Sequence, residues 1–301
     1  MDKELALSAI MLSELPHLGE QGMRRIVERS TERAHGVRTF LRLPEAVLRE
    51  TFALHPLAVR RLVAERELHE QRCAWLLDRL AAVGGAVHLL GTPTWPERLR
   101  RDAAVAPPVL YRIGPGELLE RPTLAVLNSR SISDHSVSAT RAVVEAAAAQ
   151  GFTVVTGGMK TGYRIAAVAS RVIAAPRAIV LDRGALAVFG ARADRDPFGF
   201  GPGRGVLDAA RTLVVSPFRL LDHATPRNGR RRDELIALLA DIVVAVHARP
   251  GGQIEHVCLE ALDRGQSVLS WYGENAGLVA AGAAVATEDD LTAGLTRYVS
   301  R

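Results

Sequence analysis

The stretch LAVLNSRSISDHSVSATRAVVEAAAAQGFTVVTGG, residues 124–158, holds two short apolar runs on either side of a longer alanine-rich segment. The runs LAVL and TVVT have the length and the aliphatic, partly β-branched composition of buried strands. The segment SVSATRAVVEAAAAQG between them has the length and composition of a helix. A strand, a helix and a second strand in this order predict a parallel βαβ unit, and both strands end in small or polar residues.

The same alternation extends over most of the chain from residue 86 onward. Five further strand-like runs are present, namely AVHLL, AIVL, TLVVS, IVVAVH and SVLSW, and helical stretches separate most of them. Residues 83–301 are therefore predicted to form an α/β domain with a doubly wound, mainly parallel sheet covered by helices on both faces. In such sheets ligands bind beyond the carboxyl ends of the strands.

The first 82 residues have a different pattern. The segments LALSAIMLSEL, GMRRIVERS and LAVRRLVAERELHEQRCAWLLDRLAAV show apolar residues at helical spacing and little strand character. They predict an all-helical N-terminal domain over residues 1–82, of the helix-hairpin-helix or SAM-like kind. The turn LPHLGEQG joins the first two helices, and backbone amides at such a turn can meet a DNA phosphate. Packing within the domain is the more common reason for such a turn.

The basic residues of the chain are almost all arginines. The formal net charge is +5, and Lys3 and Lys160 are the only lysines among 38 cationic residues. Arginine carries a planar group with five donors that binds phosphate and stacks on bases, so this composition suits a nucleic-acid partner. A biased genomic base composition produces the same richness in arginine, alanine and valine, and both explanations stay open.

The two cysteines, Cys73 and Cys258, lie too far apart in the chain for a zinc site or a disulfide scaffold. Both fall within helical patterns, so we expect buried free thiols in a reducing compartment. No apolar run approaches the roughly 20 residues that a membrane span needs, and the N-terminal residues lack the features of a signal peptide. We therefore expect a cytoplasmic protein with no membrane partner, no bound metal and no cofactor.

Three clusters of polar and glycine residues each follow a predicted strand. Hydroxyls, backbone amides next to glycine, and a lysine or arginine are groups that bind phosphate. A tight turn needs the same glycines, so each cluster also has a structural explanation. Glu255 lies shortly after Gly251 and Gly252, which belong to the third cluster. It is either a general acid/base or a residue favoured at the positive end of a helix. The candidate phosphate-binding residues in these clusters are Ser129, Arg130, Ser131, Thr156, Gly157, Gly158, Lys160, Gly251, Gly252 and Gln253.

A run of arginines forms a fourth candidate site. The segment HATPRNGRRRDE, residues 223–234, contains Arg227, Arg230, Arg231 and Arg232 before the predicted helix ELIALLAD. Such a run usually lies on a solvated surface. Four arginines beside a predicted ligand edge could also follow a sugar-phosphate backbone.

The segment DRDPFGFGPGRG, residues 194–205, is the most glycine-dense part of the chain. Its alternating glycines do not complete the dinucleotide-binding pattern G-x-G-x-x-G, because the third position falls on Arg204 or Val206. It also follows no good strand. We therefore predict a mobile loop rather than a dinucleotide site.

Taken in order, these segments resemble the DNA-processing protein A (Smf) family, which has a Rossmann-like fold. The most specific match is APPVLYRIG, residues 106–114, which is similar to the family's Pro-Pro-x-Leu-Tyr-x-x-Gly. LNSRSIS, residues 127–133, stands where the family has Val-Gly-Ser-Arg-x-x-Ser, and VTGG, residues 155–158, where it has Val-Ser-Gly-Gly. TWPERL, residues 94–99, matches its Tyr-Pro-x-x-Leu segment. The hairpin near LPHLG, residues 15–19, looks like its N-terminal domain.

The chain departs from the family pattern at several positions. Asn128 replaces a glycine, and around Gly162–Val168 neither the family's Gly-Ile-Asp nor the histidine one turn later is kept. Its Arg-Asn-Arg is only partly represented, by residues 227–230 or by residues 232–234. Residues 250–253 replace the usual Ser-Gly-Ser/Thr. The C-terminal winged-helix domain of many members is expected to be missing, so the chain is identified as a divergent member.

The resemblance implies a non-enzymatic protein that binds single-stranded DNA, protects it and helps to load the recombinase RecA during natural transformation. It also implies a homodimer, with Ser129 and Arg130 in contact with phosphate. Such binding needs a basic groove and phosphate donors but no nucleophile or metal. Tyr163 is the one obvious aromatic residue at the clusters, so stacking of bases is expected to be weak.

Two alternatives stay open. The incomplete Arg-Asn-Arg suggests a sensor of the same fold that binds a small nucleotide ligand in signalling or defence. The second alternative is a nucleotide phosphoribohydrolase. Enzymes of that class carry the motif Pro-Gly-Gly-x-Gly-Thr-x-x-Glu, and Pro250–Gly252 match only its first three positions. There Ile254 and Glu255 replace Gly-Thr, and Cys258 occupies the position of the glutamate, which leaves the catalytic acid displaced.

Overall fold

The computed structural model describes residues 2–32, 36–130, 132–158, 160–190, 196–198, 206–287, 290–292 and 295. Most of the segment 194–205, predicted as a mobile loop, lies outside the described residues. Within them, no helix is both long and apolar enough to span a membrane. Both cysteines are buried free thiols, as predicted.

Among the described residues, six helices precede the sheet. The first two form the predicted hairpin, and the long helical run predicted from residue 57 is divided into two helices. Capping groups explain two of the helix starts. The Asp2 carboxylate accepts a hydrogen bond from Leu5 N at 2.8 Å, and the His55 ring accepts one from Leu57 N at 3.2 Å. The helices are α1 (Lys3–Ser13), α2 (Glu20–Glu32), α3 (Val37–Phe40), α4 (Glu45–Glu50), α5 (Pro56–Val63) and α6 (Arg66–Ala82).

In the described part of the chain, nine strands form one sheet in the order β1-β2-β6-β5-β4-β3-β7-β8-β9, which confirms the doubly wound, Rossmann-like α/β fold. Neighbours pair in parallel except at β2, which runs antiparallel to both β1 and β6. All seven predicted strands are present, whereas the sequence pattern did not predict β2 and β9. The strands are β1 (Gly85–Leu89), β2 (Val109–Ile113), β3 (Thr123–Asn128), β4 (Thr153–Gly157), β5 (Arg177–Val180), β6 (Thr212–Ser216), β7 (Ile242–His247), β8 (Ser267–Trp271) and β9 (Ala284–Ala286).

The central strands are buried on both faces. Along β3, Leu124 and Val126 belong to one hydrophobic cluster, and Ala125 and Leu127 belong to another. Side chains of a strand alternate between the two faces, so a sheet covered twice requires a continuous apolar run. The helices after β1 are α7 (Glu97–Arg100), α8 (Asp134–Ala149), α9 (Thr161–Val172), α10 (Ala185–Phe189), α11 (Pro226–Leu238), α12 (Gln253–Asp263) and α13 (Ala276–Ala280), with a 3₁₀ turn at Gly116–Leu119.

The N-terminal helices pack directly against the β1–β2 end of the sheet. Ile10 and Leu12 of α1 share a hydrophobic cluster with Val87 of β1 and Tyr111 of β2. The hydroxyls of Ser13 and Tyr111 are hydrogen-bonded inside this region. Because the packing is continuous here, the division into two domains after residue 82 stays a prediction.

The strand order creates a switch point between β3 and β7. From β3 the chain builds outward through β4, β5 and β6, and it then returns to β7 and builds the other way through β8 and β9. The carboxyl ends of these seven parallel strands lie along one edge, here called the carboxyl edge. Ligands of such folds bind in the crevice beyond this edge, at the switch point.

Asp241 connects three segments at the opposite, amino edge of the sheet. Its buried carboxylate forms ion pairs with Arg98 and Arg101 and accepts a hydrogen bond from Thr123 N at 2.9 Å. Burial alone would raise the pKa of this carboxyl. The hydrogen bonds from Arg98 and from Thr123 N outweigh burial, so the pKa is lowered.

We predict that Asp241→Asn lowers the free energy of unfolding by about 1.5–3 kcal/mol near neutral pH, the range for hydrogen bonds to charged groups. Because the folded pKa is the lower one, the carboxylate stabilises the protein above its unfolded pKa of about 3.9. That contribution is lost as the pH falls through the folded pKa. Urea unfolding of the wild type and of Asp241→Asn from neutral to acidic pH measures this effect. The difference between their free energies of unfolding should become smaller as the pH falls. A difference independent of pH would contradict a stabilising role of the Asp241 carboxylate.

Candidate functional site

Ser129 joins the ends of β3 and β7 at the switch point. Its backbone N donates to His247 O at 2.7 Å, and its hydroxyl accepts a hydrogen bond from Arg249 N at 2.8 Å. The hydroxyl therefore orders the loop that follows β7. Arg130 comes next with an exposed side chain, and Ser131 lies outside the described residues.

The turn after β8 braces the same loop. Asn275 has a left-handed backbone with φ of 57°, accepts a hydrogen bond from Ala248 N at 2.6 Å and donates to Ala245 O at 2.8 Å. Glu274 lies 3.0 Å from Nδ1 of His247. These contacts hold the ends of β7 and β8 together at the carboxyl edge.

Tyr272 is an aromatic residue that the sequence analysis missed. It follows β8 at the carboxyl edge and is 66% exposed. Tyr163 is fully buried, so the expectation that it is the available aromatic is wrong. The available signal was the position of Tyr272 in the chain, because it comes directly after the predicted strand SVLSW, and ligands bind beyond the carboxyl ends of such strands.

The two glycines at the end of β4 make room for protein side chains. A Cβ at Gly157 would come within 2.6 Å of the Tyr163 ring, and one at Gly158 within 2.4 Å of the Phe198 ring. Thr156 is fully buried, and its hydroxyl donates to Tyr163 O at 3.4 Å. All three residues are buried, and packing is sufficient to explain their identities.

Charged groups at the ends of β4 and β5 form a buried network. Arg232 is 3% exposed and pairs with Asp233 at 2.8 Å and Asp182 at 3.0 Å. Tyr163 donates to Asp233 at 2.8 Å, and Lys160 Nζ lies 3.5 Å from the same carboxylate. Burial lowers the pKa of Lys160, and Asp233 opposes that shift. Arg183 also pairs with Asp182 at 2.9 Å, so both carboxylates are engaged within the protein and the network connects α11 to the start of α9.

The arginine run lies within α11, not before a helix as the sequence analysis placed it. Thr225 caps this helix by accepting a hydrogen bond from Asn228 N at 3.1 Å, and Pro226 is its first residue. The Thr-Pro pair was the available signal, since both residues are typical of these positions at a helix start.

The four arginines of the run have different environments. Arg227 and Arg230 are exposed. Arg231 is half-buried and pairs with Glu20 of α2 at 2.8 Å. Arg232 is enclosed in the network described above. Arg227 and Arg230 therefore present their guanidinium groups to solvent, while the other two are engaged within the protein.

Gly251 and Gly252 lead from β7 into α12, as predicted. Gly251 has a φ of 65°, which an L side chain rarely adopts, and Gly252 is the residue before the helix. The Glu255 carboxylate accepts a hydrogen bond from Gly251 N at 2.6 Å, which is the helix-end role. Gln253 Nε2 is buried and has no hydrogen-bond partner among the described residues.

The carboxyl edge presents cations and peptide groups. Arg130, Arg227, Arg230 and Arg249 are exposed, and Lys160 lies between them with 20% of its side chain exposed. Within the described part of the chain, no three His, Cys, Asp or Glu side chains gather to hold a metal. Such a surface binds a polyanion through charge and hydrogen bonds.

Known proteins share this fold. The family model of DNA recombination-mediator protein A matches residues 86–290. DNA processing protein A from Streptococcus pneumoniae has a TM-score of 0.71 at 19% identity, over 95% of this chain and 97% of that one. The Helicobacter pylori protein, described with a single-stranded DNA binding mode, gives 0.54 at 17% identity, over 71% of this chain and 96% of that one. A search of curated protein sequences gave no match.

We predict that Arg232→Ala lowers the free energy of unfolding by about 3 kcal/mol, because it removes one partner from the buried Asp233 and one from the partly buried Asp182. Arg230→Ala removes the same charge from a solvent-exposed position of the same helix, and it should change stability by no more than about 0.5 kcal/mol. Urea unfolding of the two variants measures the difference. Equal stabilities would show that the Arg232 network contributes nothing to the fold.

Proposed function

This chain belongs to the DNA recombination-mediator protein A family, and we propose that it binds single-stranded DNA along the carboxyl edge of its sheet. Proteins of this family bind DNA and are not enzymes. The phosphoribohydrolase alternative is therefore wrong. The role of Glu255 agrees with this, because its carboxylate is bonded to the backbone of Gly251.

One observation carries the proposal: four exposed arginines lie on the same edge, while three carboxylates close to α11 are paired with the less exposed arginines of that helix. Asp182 and Asp233 pair with Arg232, and Glu234 pairs with Arg231 at 3.1 Å. The exposed positive charge is therefore left over for an external partner. Arg130, Arg227, Arg230 and Arg249 would contact successive phosphates.

Tyr272 favours a single strand over a duplex. Its exposed ring follows β8, one strand beyond the switch point, where an unpaired base could stack on it. Bases in a duplex are already stacked and paired, so they are not available to a side chain outside the helix. The sequence predicted weak stacking of bases, and we propose that the exposed ring of Tyr272 provides one site for it.

We further propose that the chain helps to load RecA on single-stranded DNA in recombination and natural transformation, that it acts as a homodimer, and that it works in the cytoplasm. Family membership supports these points, because a recombination mediator delivers DNA to a recombinase. Light scattering tests the dimer. A pull-down with purified RecA tests the partner, and absence of any complex would remove it from the proposal.

A small nucleotide ligand is the second candidate. Asn128 Oδ1 and Gln253 Nε2 flank the switch point, and neither has a hydrogen-bond partner among the described residues. Buried polar atoms are rarely left unpaired, so a bound ligand could satisfy them. Such a ligand would sit in the crevice between β3 and β7, where doubly wound folds bind nucleotides.

Equilibrium binding of a fluorescent oligo-dT strand at several salt concentrations tests the proposed function, with a duplex of equal length as the comparison. We expect preference for the single strand and an affinity that falls linearly on a log-log plot against salt. Absence of binding at low salt, together with a thermal shift caused by a mononucleotide, would favour the second candidate.

We predict that the double variant Arg227→Ala/Arg230→Ala weakens binding of oligo-dT and reduces its log-log salt slope by about 1.4, or about 0.7 for each lost phosphate contact. The matched control is Arg121→Ala/Arg211→Ala, which removes two exposed arginines from the amino edge of the sheet. An unchanged slope in the first variant, or an equal loss in the control, would exclude α11 from the interface.

We predict that Tyr272→Ala weakens binding of oligo-dT by about 1–3 kcal/mol, the range for one base stacked on an aromatic ring. Tyr272→Phe keeps the ring, so its affinity should stay close to that of the wild type. The salt slope of both variants should be unchanged, because no charge is lost. A loss of affinity in the phenylalanine variant equal to that in the alanine variant would argue against stacking.

A further inference from the structure

A pocket in the N-terminal helices lies close to the proposed path of the DNA. It is formed by the turn between α1 and α2 and by the segment that joins α4 to α5, and its volume is about 250 Å³. It is here called the hairpin pocket. The side chains that supply its polar groups are His17, Gln21, Arg25, Arg29 and His55.

The lining of the hairpin pocket is basic. Arg25 and Arg29 are exposed, and the rings of His17 and His55 stack with their centres 4.0 Å apart. Among the residues that the structure describes, no aspartate or glutamate lines the pocket. The nearby carboxylate of Glu20 is paired with an arginine of α11. A concave surface lined by cations without carboxylates attracts anions.

Three features give the hairpin pocket a defined shape. Arg29 donates to Thr51 O at 2.8 Å, which connects α2 to the segment after α4. Nδ1 of His55 accepts a hydrogen bond from Leu57 N, so its neutral ring carries hydrogen on Nε2 and is a donor there. His17 adopts the uncommon left-handed backbone with φ of 58°.

A larger groove connects the hairpin pocket to α11. This groove has a volume of about 830 Å³ and shares Leu18, Gly19 and Gln21 with the pocket. Its charged lining includes Arg227 and Arg230, together with Asp222 and with Glu20 and Glu234, which are paired with Arg231. Strand order places the ends of β3, β4, β5 and β6 side by side, with α11 and the groove next to them. A DNA strand that follows the carboxyl edge past α11 therefore meets the hairpin pocket.

We propose that the hairpin pocket binds a phosphate group of the same DNA strand, as an extension of the interface at the carboxyl edge. This inference rests on the proposed function. Arg25 supplies the charge, and the Nε2 hydrogen of His55 and the amide of Gln21 supply neutral donors. A free phosphorylated small molecule has the same chemistry, so the experiment must separate the two sources.

The test measures binding of oligo-dT strands of increasing length to the wild type, to Arg25→Glu and to Arg42→Glu. Arg42 is an exposed arginine of the N-terminal helices that does not line the pocket, so its reversal changes the net charge equally. The wild type should gain affinity once the strand is long enough to reach the pocket. For strands of that length, the affinity of Arg25→Glu should be about tenfold lower than that of the wild type. For short strands, Arg25→Glu and Arg42→Glu should have equal affinities.

A second variant keeps the test valid if the charge reversal disturbs the helices. His17→Gly suits the left-handed backbone and removes the imidazole from the stacked pair. It should reduce the affinity gained by long strands by a smaller factor than Arg25→Glu does. Binding of dTMP and of inorganic phosphate to the wild type and to Arg25→Glu identifies a free ligand.

The outcomes separate the two proposals. If the wild type binds DNA but Arg25→Glu and Arg42→Glu bind every length alike, the pocket lies off the path and the inference is overturned. It is also overturned if Arg25→Glu abolishes binding of dTMP and leaves the dependence on strand length unchanged. Failure of the wild type to bind any strand would instead overturn the proposed function.

Discussion

The contacts of two neighbouring residues of α11 set the arrangement of the carboxyl edge: Arg232 pairs with Asp182, and Asp233 contacts Tyr163 and Lys160. They fix the rotation of α11 about its own axis, because both side chains must face the ends of β4 and β5. Successive residues of an α-helix are turned by about 100°, so Arg230 faces nearly the opposite way. Arg227 lies three positions before Arg230 and shares its face. These contacts therefore determine which arginines of the run face solvent.

The same internal pairing explains why a modest net charge of +5 is compatible with a basic surface. Glu20 and Glu234 are engaged by Arg231. Glu255 is engaged by the backbone of the loop after β7. Among the described residues, the edge presents exposed arginines, peptide groups ordered by Ser129, and the exposed ring of Tyr272. These are the parts that binding of a single strand needs, and none of them performs covalent chemistry.

The central strands and the switch point could be predicted because a buried parallel strand has a local signature, a short apolar run followed by a turn and a helix. β2 has a similar run but reverses direction, and β9 is three residues long, so neither follows the alternating pattern. The contacts within the candidate site could not be predicted in the same way, because the residues that form them come from distant segments of the chain. Nothing near Gly158 in the sequence reveals that Phe198 occupies the space above it. The burial of Tyr163 and Arg232 likewise depends on Asp233, some 70 residues after the tyrosine.

The most direct measurement is a crystal structure of the chain in complex with a short oligo-dT strand. We expect phosphates within hydrogen-bond distance of Arg130, Arg230 and Arg249, with a base stacked on Tyr272. Arg232 should keep its ion pairs with Asp182 and Asp233 in the complex. A strand bound at the amino edge, or a single nucleotide held in the crevice between β3 and β7 with α11 free of contacts, would contradict the proposed interface.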